Sequence, residues 1–160
     1  MSTKDSPTRS VTPLEGPPAR ILLIQAPYYA DVVGGMAKGA LDVLRAAGCT
    51  AETVDVAGAF ELPAALRMAT FAEPAWDGYL LLGCVVRGET DHYDFICDAV
   101  CHGVMAISAE TGAALGFGLL TVDNLDQAIA RSREDGMNKG AEAAHACLGQ
   151  VALARRWGLG

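Results

Sequence analysis

Ile21-Leu22-Leu23-Ile24 is an unbroken apolar run, apolar at odd and even positions alike. A strand covered on both faces reads this way, whereas a strand with one wet face alternates. The residues that follow change period. Val33, Met36, Ala37, Ala40, Leu41 and Leu44 recur at helical steps within Val32 to Ala47, and Gly48 stands where a helix end takes a left-handed residue. A doubly buried strand feeding an amphipathic helix is the first half of a β-α-β unit, and the rest of the chain repeats it.

Thr50 to Val56, with Thr53, Val54 and Val56, reads as a second strand. Leu62 to Phe71 reads as a helix with Pro63 in its first turn, where proline is tolerated. Tyr79 to Val86 is a third buried strand and Tyr93 to Thr111 a long helix. Leu115 to Leu120 is a fourth strand, weakened by Gly116 and Gly118. Leu125 to Ser132 and Lys139 to Trp157 read as closing helices. The order β-α-β-α-β-α-β-α-α predicts a three-layer αβα sandwich around a four-stranded parallel, flavodoxin-like sheet. This domain spans residues 19–160. Residues 1–18 carry Pro7, Pro13, Pro17 and Pro18 among small polar residues, and are expected to be a flexible tail.

Composition narrows the function. The chain has 160 residues, enough for one domain. Hydrophobic residues make up 51% and charged residues only 19%, an apolar balance that fits a surface partly covered by partner subunits. A net charge of −7 without a basic stripe speaks against nucleic acid. The start has no apolar core of the secretory kind, and charges or glycines interrupt every apolar run before it could span a bilayer. Five cysteines, Cys49, Cys84, Cys97, Cys101 and Cys147, with no C-x-x-C pair, suggest reduced thiols in the cytoplasm.

In parallel sheets, ligands collect outside the carboxyl ends of the strands. The segments leaving those ends are Ala26-Pro27-Tyr28-Tyr29, Gly58-Ala59-Phe60-Glu61, Arg87-Gly88-Glu89-Thr90-Asp91-His92 and Phe117-Gly118-Leu119-Leu120-Thr121. With Asp91 as N-cap and Asp94 completing a capping box, His92 falls at the first helical position. A helix N-terminus disfavours imidazolium, so a neutral, proton-carrying histidine is expected there; a surface histidine beside a cap is the other reading. Gly88-Glu89-Thr90 offers backbone N–H groups and a hydroxyl to an anion. Glu61 either lines the site or complements its helix dipole. Tyr28 either stacks on a flat ring or packs its loop. Arg131 is a surface arginine or, across a subunit boundary, a phosphate clamp. Neither a P-loop nor a dinucleotide fingerprint is present. Cys97 and Cys101 have the spacing of two metal ligands, yet further ligands are not apparent; thiols on a small apolar face of a buried helix explain them better. His102 and His145 read as helix-packing or surface histidines.

Residues Ile21 to Trp157 resemble the lumazine synthase family. The carrying motifs are Gly58-Ala59-Phe60-Glu61-Leu62-Pro63, Leu82 to Asp94, Phe117 to Thr121, Gln127-Ala128-Ile129 leading to Arg131, and Asn138-Lys139-Gly140. The resemblance implies condensation of 5-amino-6-(D-ribitylamino)uracil with 3,4-dihydroxy-2-butanone 4-phosphate, giving 6,7-dimethyl-8-ribityllumazine, phosphate and water, in riboflavin biosynthesis. It implies no metal and no organic cofactor. It assigns proton transfer to His92 and stacking on the pyrimidine to Tyr28. Ala59, Phe60 and Glu61 would hold the ribityl chain, and Cys84, Val85 and Val86 would border the pyrimidine through their backbone. Glu89 and Thr90 would form the phosphate turn. Phe117, Arg131 and Lys139 would come from the adjacent subunit, Arg131 and Lys139 to the phosphate and Phe117 to the pyrimidine. It further implies a homopentamer, which in some members closes into a sixty-subunit icosahedral shell, with riboflavin synthase as a candidate partner. The segment 133–137 lies where contacts between pentamers would be set. Two positions depart from the family pattern: Pro27-Tyr28-Tyr29 stands where Arg-Phe-Asn is usual, and Glu89 where a small residue is usual. A non-catalytic scaffold that retains a flavin or lumazine, and a monomeric mononucleotide binder, are the competing readings.

Overall fold

The computed structural model describes residues 14–134 and 137–159. Most of the expected tail, and residues 135–136 of the 133–137 segment, lie outside the described residues. The elements are β1 (Arg20–Gln25), α1 (Ala30–Ala46), β2 (Thr50–Asp55), α2 (Leu62–Ala69), β3 (Gly78–Val86), α3 (His92–Thr111), β4 (Leu115–Val122), α4 (Leu125–Ala130) and α5 (Lys139–Arg156). All four strands are parallel, in the order β2-β1-β3-β4. The expected α/β, flavodoxin-like sandwich is therefore the observed fold.

Alternation along the central strands divides the core. Ile21 and Leu23 of β1, with Leu80 and Leu82 of β3, pack under α1 and α5 against Val33, Met36, Leu44 and Leu148. Leu22, Ile24, Tyr79 and Leu81 point the other way, toward Leu62 and Leu66 of α2 and Val100 and Val104 of α3. Both sets are buried, so β1 and β3 are apolar throughout while their period-2 geometry is intact. Gly48 has φ +73°, the left-handed conformation that lets the chain leave α1 and enter β2.

Three sequence expectations are corrected. Gly116 and Gly118 do not weaken β4, which runs two residues further than expected, to Val122. A Cβ at Gly116 would lie 2.1 Å from the Ala143 carbonyl oxygen, so the bare backbone lets α5 lie directly on the strand. The helix carrying Cys97 and Cys101 is not buried: only Val100 and Val104 of α3 are fully covered, while Phe95 and Met105 are 72% and 54% exposed. The third concerns the start of that helix. Asp91 occupies the N-cap position with helical backbone angles and makes no side-chain cap hydrogen bond. Asp94 turns instead to Arg87, because a guanidinium offers two parallel donors where an N-cap offers one amide.

Candidate active site

The carboxyl end of the sheet collects three segments. β1 runs into a single 3₁₀ turn, Pro27–Tyr29, and β2 leads to another, Ala59–Glu61. β3 ends at Val86, ahead of the 87–91 loop and α3. Because β1 and β3 are sheet neighbours, these segments meet: β3 packs against both 3₁₀ turns and α3 against the second. Tyr28, Ala59, Phe60, Glu61, Cys84, Val85, Val86, Glu89, Thr90 and His92 thus share one rim.

Each contributes in a way its local structure dictates. Tyr28 is held edge-on to Tyr29, centroids 5.1 Å apart at 68°, and its ring is 77% exposed. Phe60, on the second 3₁₀ turn, is 59% exposed. β1 pairs with β3 only as far as Gln25 opposite Leu82, whereas β4 pairs as far as Val122 opposite Val86. Among the described residues, the stretch Cys84 to Val86 therefore has a strand partner on one side only, and the peptide groups of its other edge face the rim. Burial pushes the Cys84 thiol up to about 11, so it stays protonated and Cys84 offers its backbone rather than a thiolate. Glu89 and Thr90 are exposed in the loop, and His92 is the first residue of α3. The N-terminus of this long helix lacks a side-chain cap, which leaves first-turn N–H groups for an anion.

The remaining expected residues gather elsewhere. A cavity of about 420 Å³ runs along β4, lined by Phe117, Thr121, Arg131, Lys139, Glu142 and Ala143 among others. None of the rim residues named above lines it. Arg131 caps the end of α4, and its Nη1 donates to the Gln127 carbonyl at 2.8 Å. The Arg131 carbonyl accepts from the Lys139 amide at 2.9 Å, which ties the two cations to one turn. The Lys139 ammonium donates to both Glu142 carboxylate oxygens, at 2.7 and 2.8 Å. Among the described residues no carboxylate pairs with Arg131, so the net positive charge of this cavity is its guanidinium. Phe117 is half-buried beside them.

Glu142 has no counterpart in the sequence reading. An acidic residue one helical turn after Lys139 was the available signal. A second cavity of about 440 Å³ opens at the amino end of the sheet, lined by Trp76, Asp77 and Arg155 among others. It contains none of the expected site residues, and its Arg155 and Asp77 face each other at 3.4 Å. Among the described residues, no group of three or more His, Cys, Asp or Glu side chains could hold a metal ion. His102 is exposed beside Asp98 on α3.

The chain is similar to known proteins over most of its length. The family model described as 6,7-dimethyl-8-ribityllumazine synthase matches residues 18–155. The chain is 38% identical over 138 residues to a 6,7-dimethyl-8-ribityllumazine synthase of Bartonella tribocorum, covering 86% of this chain and 91% of that one. It is 43% identical over 137 residues to that of Methylobacterium radiotolerans, covering 86% and 83%. It is 40% identical over 145 residues to 6,7-dimethyl-8-ribityllumazine synthase 1 of Rhizobium meliloti, covering 88% and 95%.

Proposed function

The chain belongs to the 6,7-dimethyl-8-ribityllumazine synthase family, and we propose that it performs the family's condensation in a crevice shared by two copies of itself. It is a transferase of riboflavin biosynthesis. It joins 5-amino-6-(D-ribitylamino)uracil to 3,4-dihydroxy-2-butanone 4-phosphate, releasing phosphate and water.

One observation carries the shared crevice: the residues expected at the site fall into two incomplete groups. The rim with Tyr28, Phe60 and His92 holds stacking and proton-transfer groups. The cavity with Phe117, Arg131 and Lys139 holds the cations and a further ring. Docking the β4 edge of one copy on the rim of the next completes the set. The exposed apolar residues of α3, Phe95 and Met105, support association with further copies. A closed ring of such head-to-tail contacts is a homopentamer in this reading, and larger shells and a riboflavin synthase partner are further extensions of it. The five free cysteines fit a reducing cytoplasm, and among the described residues no helix is long and apolar enough to cross a membrane.

In this crevice Tyr28 and the neighbour's Phe117 sandwich the pyrimidine, while the Cys84–Val86 backbone edge reads its polar groups. Ala59, Phe60 and Glu61 hold the ribityl chain. The phosphate lies between the N-terminus of α3, with Glu89 and Thr90, and the neighbour's Arg131 and Lys139. The substrate amine attacks the ketone and an imine forms with loss of water. His92 takes a proton from carbon, and the phosphate leaves against the two cations. The second amine then closes the ring with loss of water. Juxtaposing the two substrates supplies most of the acceleration, because imine formation is already feasible in water.

Complementation tests the reading. The His92→Ala and Arg131→Ala proteins are each assayed alone by lumazine absorbance, then unfolded together and reassembled. Mixed rings contain interfaces with an intact His92 on one copy and an intact Arg131 on the next, so activity should exceed the average of the parents. A mixture no better than that average would place both residues in one protomer's site and defeat the shared crevice.

A further inference from the structure

We propose that Arg87 is the positioning residue for His92, a strut that fixes the first turn of α3 against the ends of β3 and β4. The proposal rests on the reading of His92 as the proton-transfer group.

His92 lies in a stretch with little of its own to hold it. Among the described residues, the side chains of Glu89, Thr90, Asp91 and His92 make no hydrogen bond or ion pair, and Asp91 does not cap the helix. The next two residues are gripped firmly. Arg87 Nη1 and Nη2 donate to Asp94 Oδ2 and Oδ1 at 3.0 and 2.9 Å, a fork-on-fork pair. The same guanidinium carbon sits 4.1 Å from the centroid of the Tyr93 ring, and Nε is 3.5 Å from Asp123 Oδ1 at the end of β4. The root of Arg87 is anchored as well: its amide donates to the Val122 carbonyl at 2.8 Å. One side chain therefore binds the residues one and two positions after His92 to the rigid edge of the sheet. The paired charges agree, with the Arg87 side-chain hydrogen bond to Asp94 holding that carboxyl below its usual range.

The grip is exposed, and exposed ion pairs add little to folding stability. It is nonetheless directional. A bidentate guanidinium fixes orientation as well as distance, which an ammonium cannot do. A loss of about 1 Å in placement lowers the rate of a positioned group by up to about a hundredfold. Catalysis and stability should therefore separate.

The test compares Arg87→Met, Arg87→Lys and Asp94→Asn with the parent, and repeats Arg87→Met in a His92→Ala background. Arg87→Met and Asp94→Asn should lower kcat about tenfold, with the KM of both substrates and the melting temperature nearly unchanged. Arg87→Lys should recover only part of the loss. In the His92→Ala background Arg87→Met should add less than about a twofold change, since two residues acting through one group are not additive. A parent-like kcat for Arg87→Met and Asp94→Asn, with His92→Ala impaired, overturns the strut and leaves the role of His92 standing. The same tenfold loss in both backgrounds also overturns it. A parent-like His92→Ala removes the proton-transfer reading itself, and the proposal with it.

Discussion

A Cβ placed on Gly140 would fall 2.0 Å from the Met36 carbonyl oxygen and 2.5 Å from its carbonyl carbon. The start of α5 therefore touches the middle of α1 backbone to backbone, and Lys139, one residue earlier, is placed by that contact. Nothing flexible stands at the collision point to give way. Gly140→Ala should destabilise the protein by about 2–3 kcal/mol, with a lower urea midpoint at fixed protein concentration. An unchanged midpoint would mean that the two helices are not in backbone contact.

Asn138 is buried at the same junction and uses both ends of its amide. Its oxygen accepts from the Ala141 amide at 3.0 Å, while its nitrogen donates to the Gly35 and Ser132 carbonyls, both at 2.9 Å. Asn138→Ala should cost about 2–3 kcal/mol, combining a lost helix cap with two stranded carbonyls. Asn138→Asp keeps the cap but sets a buried carboxylate oxygen against the Gly35 and Ser132 carbonyl oxygens, so it should be no more stable than the alanine variant. Were it as stable as the parent in chemical denaturation, the cap alone would explain this residue.

Charge in the β4 cavity has two opposed contributors, Arg131 and the Glu142 that holds Lys139. Arg131→Ala should raise the KM of the phosphate substrate about tenfold to a hundredfold, the loss of a charge-assisted hydrogen bond. Glu142→Gln should act the other way and strengthen inhibition by inorganic phosphate, an effect that added salt diminishes. Kinetics of Arg131→Ala indistinguishable from the parent would remove the phosphate from this cavity.

Burial pushes the Cys84 thiol from 9.0 to about 11 and the Cys147 thiol to about 12. Both should resist a disulfide reagent at pH 8 in the native protein and react once it is unfolded. A raised thiol favours the fold fully below its unfolded value, and that contribution is lost as pH rises toward the folded value. Stability should thus decline from about pH 9 upward, and Cys147→Ala should blunt the decline even if it lowers the plateau. Rapid labelling of either thiol in the folded protein would contradict their burial.

The element order was legible because each signal is local. The run from Ile21 to Ile24, the helical spacing from Val33 to Leu44 and the left-handed Gly48 each act within a few residues, and all three stand in the structure. So did the position of His92 at the start of α3. Local signals give out where the deciding partner lies outside the element. Gly116 looks like a flaw in a strand because Ala143, which rests on it, is 27 residues away. Asp94 looks like part of a cap because Arg87, seven residues back, folds over it only once the loop has closed.

The amino-acid sequence alone determined a parallel α/β sandwich, the rim at the carboxyl ends of its strands, and the family to which those motifs point. Hydrophobic period and turn chemistry are properties of neighbouring residues, so they survive being read in one dimension. Only the tertiary structure decided that none of the rim residues lines the β4 cavity, that Arg87 grips Asp94, and that α5 lies bare against β4 and α1. Those facts depend on close approach between residues of different elements and loops, which is settled by the whole fold rather than by any segment of it.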